Sequence, residues 1–285
     1  MAMVIMATDM EKTRILEEES FFLYTYCMKF ADLHSHIAWD LDDGMPSRED
    51  AIVSLESARK DGILAICSTP HIVPGQCDAE FIEEIIQRQN ELAYYAQLHD
   101  IQIYRGSEMF MNFDFLNALE EGLYIPLNHS AYLLCEFDVR KDITYMDSSL
   151  DYFYEIKVRH MIPLLAHVER YFHRGLDFDM LDEWKEEGVI FQVNRTSLLG
   201  MNGKTIQKNA WQLIEQGYAS LVCTDTHRSK GSRVEVLSDI YEELVSRVGQ
   251  ENADRLLWEN PVRILNNMPV LPLKKVNKKR NRFKI

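Results

Sequence analysis

The sequence predicts an α/β fold, a closed TIM-like (β/α)7 barrel, on three observations. Short apolar runs alternate with helical patterns seven times, which implies a mainly parallel sheet. Gly62, Gly188 and Gly217 sit just past helical stretches and before apolar runs, where helix C-terminal glycines belong. The seven apolar runs each lead to a residue able to bind a metal or order a metal site, the pattern of a barrel with a polynuclear centre at its C-terminal rim.

Taken in order, Phe30-Ala31-Asp32-Leu33 ends in His34-Ser35-His36. Pro46 and Ser47-Arg48-Glu49-Asp50 open a helix that runs to about Lys60. Ile63-Leu64-Ala65-Ile66-Cys67 leads to His71, and Phe81, Ile82, Ile85, Ile86 and Leu92 give residues 80–98 helical spacing. Ile101-Gln102-Ile103-Tyr104 leads to Glu108, and Ala131-Tyr132-Leu133-Leu134-Cys135 ends at Glu136. A helix is expected near 147–159. Ile162-Pro163-Leu164-Leu165-Ala166 then ends at His167, followed by a helix over 178–186. Val189-Ile190-Phe191-Gln192-Val193 ends at Asn194, with a helix over 205–216. Leu221-Val222-Cys223-Thr224 ends in Asp225-Thr226-His227, and a last helix is expected over 233–248. Residues 1–27 read as an N-terminal extension that adds little to the fold, with a capping helix over 10–24 as the alternative. Residues 28–270 read as one domain and 271–285 as a basic tail.

Bulk properties narrow the function classes. The chain has 285 residues, 46% of them hydrophobic and 27% charged, which is ordinary for a globular protein. A net charge of −14 argues against nucleic acid as an obligate partner, since phosphate contacts need Lys and Arg. No stretch is apolar enough to span a membrane, and Glu17-Glu18-Glu19 before Phe21 does not read as a secretory signal. Five cysteines without a C-x-x-C pair suit a reducing cytoplasm. No Gly-rich loop follows the first strand, which disfavours a dinucleotide-binding fold.

The chemistry rests on paired ligands. On a strand, residues i and i+2 share a face, so His34 and His36 can reach one ion. Asp225 and His227 repeat that spacing on the last strand, which a closed barrel places beside the first. His71 alone reads more readily as a loop histidine than as a ligand, and His167 alone can be a satisfied core histidine. Glu108 and Glu136 end apolar runs, where a carboxylate is costly to bury without an ion or an ion pair. His99, His129, His160 and His173 read as surface. Asp40-Leu41-Asp42-Asp43-Gly44 offers one or two further ligands in the first loop, the rest being loop or capping groups. Imidazole and carboxylate without thiolate suit Mn, Fe or Zn. Asp43, Glu108, Glu136 and Asp225 bring four negative charges; three divalent ions bring six positive ones, so a loaded site carries about two net positive charges and attracts a phosphate dianion. Such ions lower the pKa of water from ~15.7 towards ~7. Cysteine-based phosphatase chemistry needs Cys-x5-Arg, and Cys135 and Cys223 have Arg140 and Arg228 one position short of it. A Gly-x-Ser-x-Gly elbow is absent.

Asp32-Leu33-His34-Ser35-His36, the Asp-Asp-Gly loop, Ser68-Thr69-Pro70-His71, Gly106-Ser107-Glu108, Ala166-His167-Val168-Glu169-Arg170-Tyr171 and Thr224-Asp225-Thr226-His227 resemble the PHP (polymerase and histidinol phosphatase) superfamily. Glu136-Phe137 and the His-x-Glu-Arg-Tyr stretch are most similar to the manganese-dependent bacterial tyrosine phosphatases of capsule and exopolysaccharide loci. The resemblance implies a distorted barrel of the PHP type and two or three divalent ions, Mn2+ with Zn or Fe as substitutes. One ion would take His34, His36, Glu108 and Asp225. A second would share Glu108 and add Glu136 and His167. A third would take Asp43, His71 and His227. Arg170 matches the arginine that binds phosphate. Arg228 and Arg233 both flank the place of a second one, and Arg233 is the residue expected there. Asp32 is expected to orient the histidine ligands, and Asn194 to order the site or substrate. The implied substrate is a phosphotyrosine protein, the tail of a bacterial tyrosine kinase controlling polysaccharide export, with self-association left open. A small-molecule phosphatase for histidinol phosphate or a sugar phosphate, and a non-catalytic metal-binding regulatory module, are the competing readings.

Overall fold

The computed structural model describes residues 28–146 and 148–275. The N-terminal extension, the alternative helix over 10–24 and residues 276–285 of the basic tail lie outside the described residues. Strands β1 (Phe30–Ser35), β2 (Ile63–Ser68), β3 (His71–Ile72), β4 (Gln102–Arg105), β5 (Glu108–Phe110), β6 (Tyr132–Glu136), β7 (Ile162–Leu165), β8 (Ile190–Asn194) and β9 (Ala219–Cys223) form two sheets, in the orders β1-β2-β4 and β3-β5-β6-β7-β8-β9. All their pairings are parallel.

The expected seven staves are present, with the second and third each broken in two. β2 pairs with β4, whereas β3, two residues past β2, pairs with β5. The breaks fall just before His71 and Glu108, which is why both lie beyond their apolar runs. A parallel bridge between Ser35 and Thr226 closes the ring from β9 to β1, with His36 N–H donating to the Thr226 carbonyl at 2.8 Å and Asp225 N–H to the His34 carbonyl at 2.9 Å. A cluster of Leu33, Cys67, Leu134, Leu164 and Leu221 shares the inner side with Ile264 and Leu265. Leu134 lies on the same strand face as Glu136, so this cluster fills the barrel beneath the ligands.

The helices follow the sequence pattern closely where it is amphipathic. They are α1 (Arg48–Asp61), α2 (Ala79–Gln97), α3 (Phe115–Glu121), α4 (Ser149–Val158), α5 (Phe178–Glu186), α6 (Arg195–Leu198) and α7 (Lys204–Glu215). Ser47 caps α1 by accepting from Asp50 N–H, and Gly62 closes it at φ 93° with its N–H on the Ala58 and Arg59 carbonyls. Outside the barrel, Trp184 packs among Phe137, Phe153, Phe172 and Phe191 and donates its indole N–H to Ser149 Oγ at 3.1 Å.

The helix expected over 233–248 is a correction. Residues 233–237 form a return loop, a short 3-10 turn covers Ser238–Ile240, and α8 spans only Tyr241–Val248. The loop exists because Arg233 and Glu235 point into polar surroundings that a helix would deny them. Helices α3 and α6 were not anticipated, nor were two later ones, α9 (Gln250–Asp254) and α10 (Asn260–Leu265), which a π turn over Arg255–Glu259 joins. No helix of the described residues is long and apolar enough to cross a membrane.

Candidate metal centre and phosphate site

At the C-terminal rim the nine expected ligands converge. Glu108 is the hub. Its Oε2 lies 3.1 Å from His34 Nε2, 3.1 Å from His36 Nε2 and 3.1 Å from His71 Nδ1, and its Oε1 lies 3.1 Å from His167 Nε2. Asp225 Oδ1 completes a first group, 3.6 Å from His34 Nε2 and 3.7 Å from His36 Nε2, and the two imidazole nitrogens are 3.2 Å apart. Ligands held at ~2.1 Å from a tetrahedral ion are separated by ~3.4 Å, so this group has the dimensions of a coordination shell. Glu136 joins a second group, Oε1 lying 3.2 Å from His71 Nδ1 and Oε2 3.4 Å from His167 Nε2. Asp43 Oδ1 sits 3.3 Å from His227 Nε2 and 3.5 Å from His71 Nε2, making a third and more open group. Spacing and donor chemistry thus both fit hard or borderline divalent ions.

The backbone is bent to present these groups. His167 at φ 34° and Asp225 at φ 55° occupy the left-handed region, which costs a non-glycine residue of order 1–3 kcal/mol. Gly44 has no alternative: a Cβ there would lie 2.5 Å from the His36 carbonyl oxygen. That close approach brings Asp42 beneath His36.

Orientation of the rings falls to residues the sequence reading overlooked or misjudged. Asp42 Oδ2 is 2.7 Å from His36 Nδ1 and accepts from His71 N–H at 2.8 Å. Gln192 Oε1 is 3.1 Å from His34 Nδ1 and accepts from His167 N–H at 2.8 Å. Gln192 donates to Asn194 Oδ1 at 2.7 Å, and Asn194 donates to Asp225 Oδ2 at 2.8 Å, so Asn194 lies against one of the expected ligands. Holding the far ring nitrogen fixes which nitrogen is free to bind. Gln192 was readable as a polar residue interrupting an apolar run two positions before Asn194. Asp32, expected to orient the histidine ligands, meets His34 through the backbone and not through the ring, its Oδ1 accepting from His34 N–H at 3.4 Å. A register irregularity between Asp32 and Ser35 breaks the strand alternation, and the Asp32 carboxylate accepts from Thr224, backbone at 3.1 Å and hydroxyl at 2.5 Å.

Two arginines face the centre from its open side. Arg170 Nη1 is 3.5 Å from Asp225 Oδ2, and Arg233 Nη2 is 2.8 Å from Asp225 Oδ1 and 2.9 Å from His227 Nε2. Arg228 is instead committed to the first loop, donating to the Asp43, Gly44 and His227 carbonyls at 2.6, 2.7 and 2.7 Å. Of the two flanking arginines, Arg233 is therefore the one at the centre. Beside Arg170 a cavity of about 330 Å³ is lined by Val139, His173, Asn202, Thr205 and Ile206.

The electrostatics are those of an anionic cage. Burial opposes charge on Asp225, yet His34, Arg233 and His227 hold its carboxyl far below the usual range. Burial lowers His34 and His71, but Glu108 and its fellow carboxylates prevail and lift them to about 9 and about 10. The sign follows directly: protons on these two rings stabilise the metal-free protein fully below their ordinary pKa of 6.5, and that support is lost as pH rises through the raised values. Metal must displace those protons. Titrating chelated protein with Mn2+ in two buffers of different ionisation enthalpy at pH 7 is expected to show proton release, with affinity rising between pH 6 and 8. Affinity independent of pH would contradict this.

The family model described as capsular polysaccharide synthesis, CpsB/CapC, matches residues 30–266. A putative tyrosine-protein phosphatase CapC of Staphylococcus aureus is 30% identical over 198 residues, 69% of this chain and 76% of that protein. The tyrosine-protein phosphatase CpsB of Streptococcus pneumoniae is 28% identical over 241 residues, 82% of this chain and 97% of that one. Among solved structures, one from work on YwqE of Bacillus subtilis and CpsB of Streptococcus pneumoniae, described as metal-dependent tyrosine phosphatases, superimposes with a TM-score of 0.74 at 24% identity, covering 86% of this chain and 97% of that chain. That likeness establishes the barrel and bears out the expected fold class.

Proposed function

Because the chain belongs to the CpsB/CapC family of capsular polysaccharide synthesis proteins, we propose that it is a metal-dependent protein-tyrosine phosphatase whose catalytic unit is residues 28–270. The observation that supports this most is the convergence of buried imidazoles and carboxylates beneath two arginines that retain 25% and 38% exposure of their side chains. His34, His36, Glu108 and Asp225 would hold one ion, Glu108, Glu136 and His167 a second, and Asp43, His71 and His227 a third. Bound ions would supply Lewis acidity and hydroxide at neutral pH. We assign manganese as the native metal, the cytoplasm as the site of action, and the phosphotyrosine tail of a bacterial tyrosine kinase controlling polysaccharide export as the substrate.

The chain's own groups do the positioning. Arg170 and Arg233 already grip the Asp225 carboxylate, and a phosphate dianion at the open side would take their remaining donors as a planar two-pronged clamp. Their fixed charges stabilise the equatorial oxygens as charge develops. Water adds to phosphorus, the bond from phosphorus to the tyrosyl oxygen breaks, and the phenolate, with a pKa of ~10, takes a proton from solvent. The cavity beside Arg170 offers Val139 and Ile206 to an aryl group.

The test compares hydrolysis of a phosphotyrosine peptide and of histidinol phosphate, after chelation and after Mn, Zn or Fe is added back. Activity is expected to vanish with chelator, to return with Mn, and to favour the peptide. A tenfold preference for histidinol phosphate would shift the reading to a small-molecule phosphatase. Activity surviving complete metal removal would end the metal-dependent mechanism.

A further inference from the structure

We propose that Glu235 is a positioning residue for the metal centre, tying together Ser35 and Thr226, the residues that lie between the paired ligands of β1 and β9. The proposal rests on the metal centre of the reading above and assigns a role to a residue that touches no expected ligand.

Glu235 is fully buried behind the rim. Ser35 Oγ donates to its Oε2 at 2.7 Å, its Oε1 has no hydrogen-bond partner among the described residues, and the Thr226 hydroxyl and the Asp32 carboxyl lie close enough to act on its charge. Ser35 separates His34 from His36, and Thr226 separates Asp225 from His227. Those two residues also make the bridge that closes the barrel. Thr226 is held in turn by Thr224 at 2.6 Å, and Thr224 by Asp32. A single side chain thus holds Ser35 from the outer side of the strands, and through the Ser35–Thr226 bridge it bears on both ligand pairs. The same return loop presents Arg233 two residues earlier, whose carbonyl accepts from His227 N–H and Arg228 N–H at 3.0 Å each.

A merely space-filling role would be served at lower cost by an apolar residue, since a buried carboxyl must find hydrogen bonds. Burial, with Asp32 alongside, pushes the Glu235 carboxyl well above its usual range. A neutral carboxyl can donate to Asp32 and accept from Ser35 at once, which an amide in the same place can reproduce.

Partners that orient ligands from behind cost ~10–100-fold in metal affinity when removed. The experiment is Mn2+ titration of chelated full-length protein, with free Mn2+ followed by electron paramagnetic resonance and folding by circular dichroism. Glu235→Leu is expected to lose ~10–100-fold in Mn2+ affinity while folded, and Glu235→Gln to stay near the parent protein. Ser35→Ala and Thr226→Val should each weaken binding, with little further loss when combined with Glu235→Leu. Parent-like affinity in folded Glu235→Leu would overturn the proposal, as would an equal loss in Glu235→Gln. If the Leu variant does not fold, Ser35→Ala and Thr226→Val decide: unchanged Mn2+ affinity in both would overturn it, and weakened affinity in both would support it. No phosphate ester enters this measurement, so its failure leaves the phosphatase reading standing.

Discussion

Glu108→Gln is expected to reduce turnover at least ~10³-fold and to remove most of the bound metal. The reason is connectivity. One oxygen of Glu108 meets His34, His36 and His71, and the other meets His167. No other carboxylate at the rim meets four of the imidazoles: Asp225 meets His34, His36 and His227, Glu136 meets His71 and His167, and Asp43 meets His71 and His227. An amide keeps the shape and removes the negative charge, and its NH2 cannot bind a cation. His34 and His71, lifted mainly by Glu108 against the pull of burial, should fall towards lower pKa values in the variant. The two losses part ways in experiment. Metal content by atomic emission should drop, while circular dichroism stays close to the parent, because the barrel is held by the apolar cluster below. Near-normal hydrolysis of an aryl phosphate with unchanged metal content would sink the assignment. His167→Ala and Asp225→Ala are expected to fail similarly.

Much of this centre was legible in the sequence because the ligands obey strand geometry. His34 and His36, like Asp225 and His227, stand two apart at the end of an apolar run, and nothing but a barrel brings the first and last strands together. What was hidden is what alternation does not encode. The irregularity between Asp32 and Ser35 turns Asp32 to Thr224, so a residue two before His34 does not face its ring. Asp42 and Gln192 orient the rings through folded loops and neighbouring strands, and neither is marked by spacing from its partner. Glu235 was hidden inside an expected helix, because Arg233–Leu237 reads as helix-compatible and only tertiary contacts hold it as a loop. Helices α9 and α10 were missed for a local reason: Pro261 argues against a helical run, and the π turn before it is not visible in composition.

Arg170→Ala is expected to lower kcat/KM for a phosphotyrosine peptide by ~10²–10³, the scale of removing one fixed donor to a charged transition state. Unlike Glu108→Gln, it should leave metal content unchanged. Arg170 reaches the centre only through Asp225 Oδ2, at 3.5 Å, and Asp225 retains Asn194 at 2.8 Å and Arg233 at 2.8 Å. The loss should therefore appear as weaker inhibition by inorganic phosphate and a lower kcat, with the Mn2+ titration unmoved. Arg170→Lys should not restore the rate, because an ammonium is a point charge and cannot span two phosphate oxygens as a guanidinium does. Full recovery with lysine would show that Arg170 contributes charge alone; loss of metal in the alanine variant would show that it supports Asp225 rather than substrate. Arg233→Ala offers the internal contrast. Arg233 touches Asp225 and His227 together and belongs to the loop that carries Glu235. Its removal should disturb both phosphate affinity and the third metal group, so the two arginines separate in the metal measurement even where their rates agree.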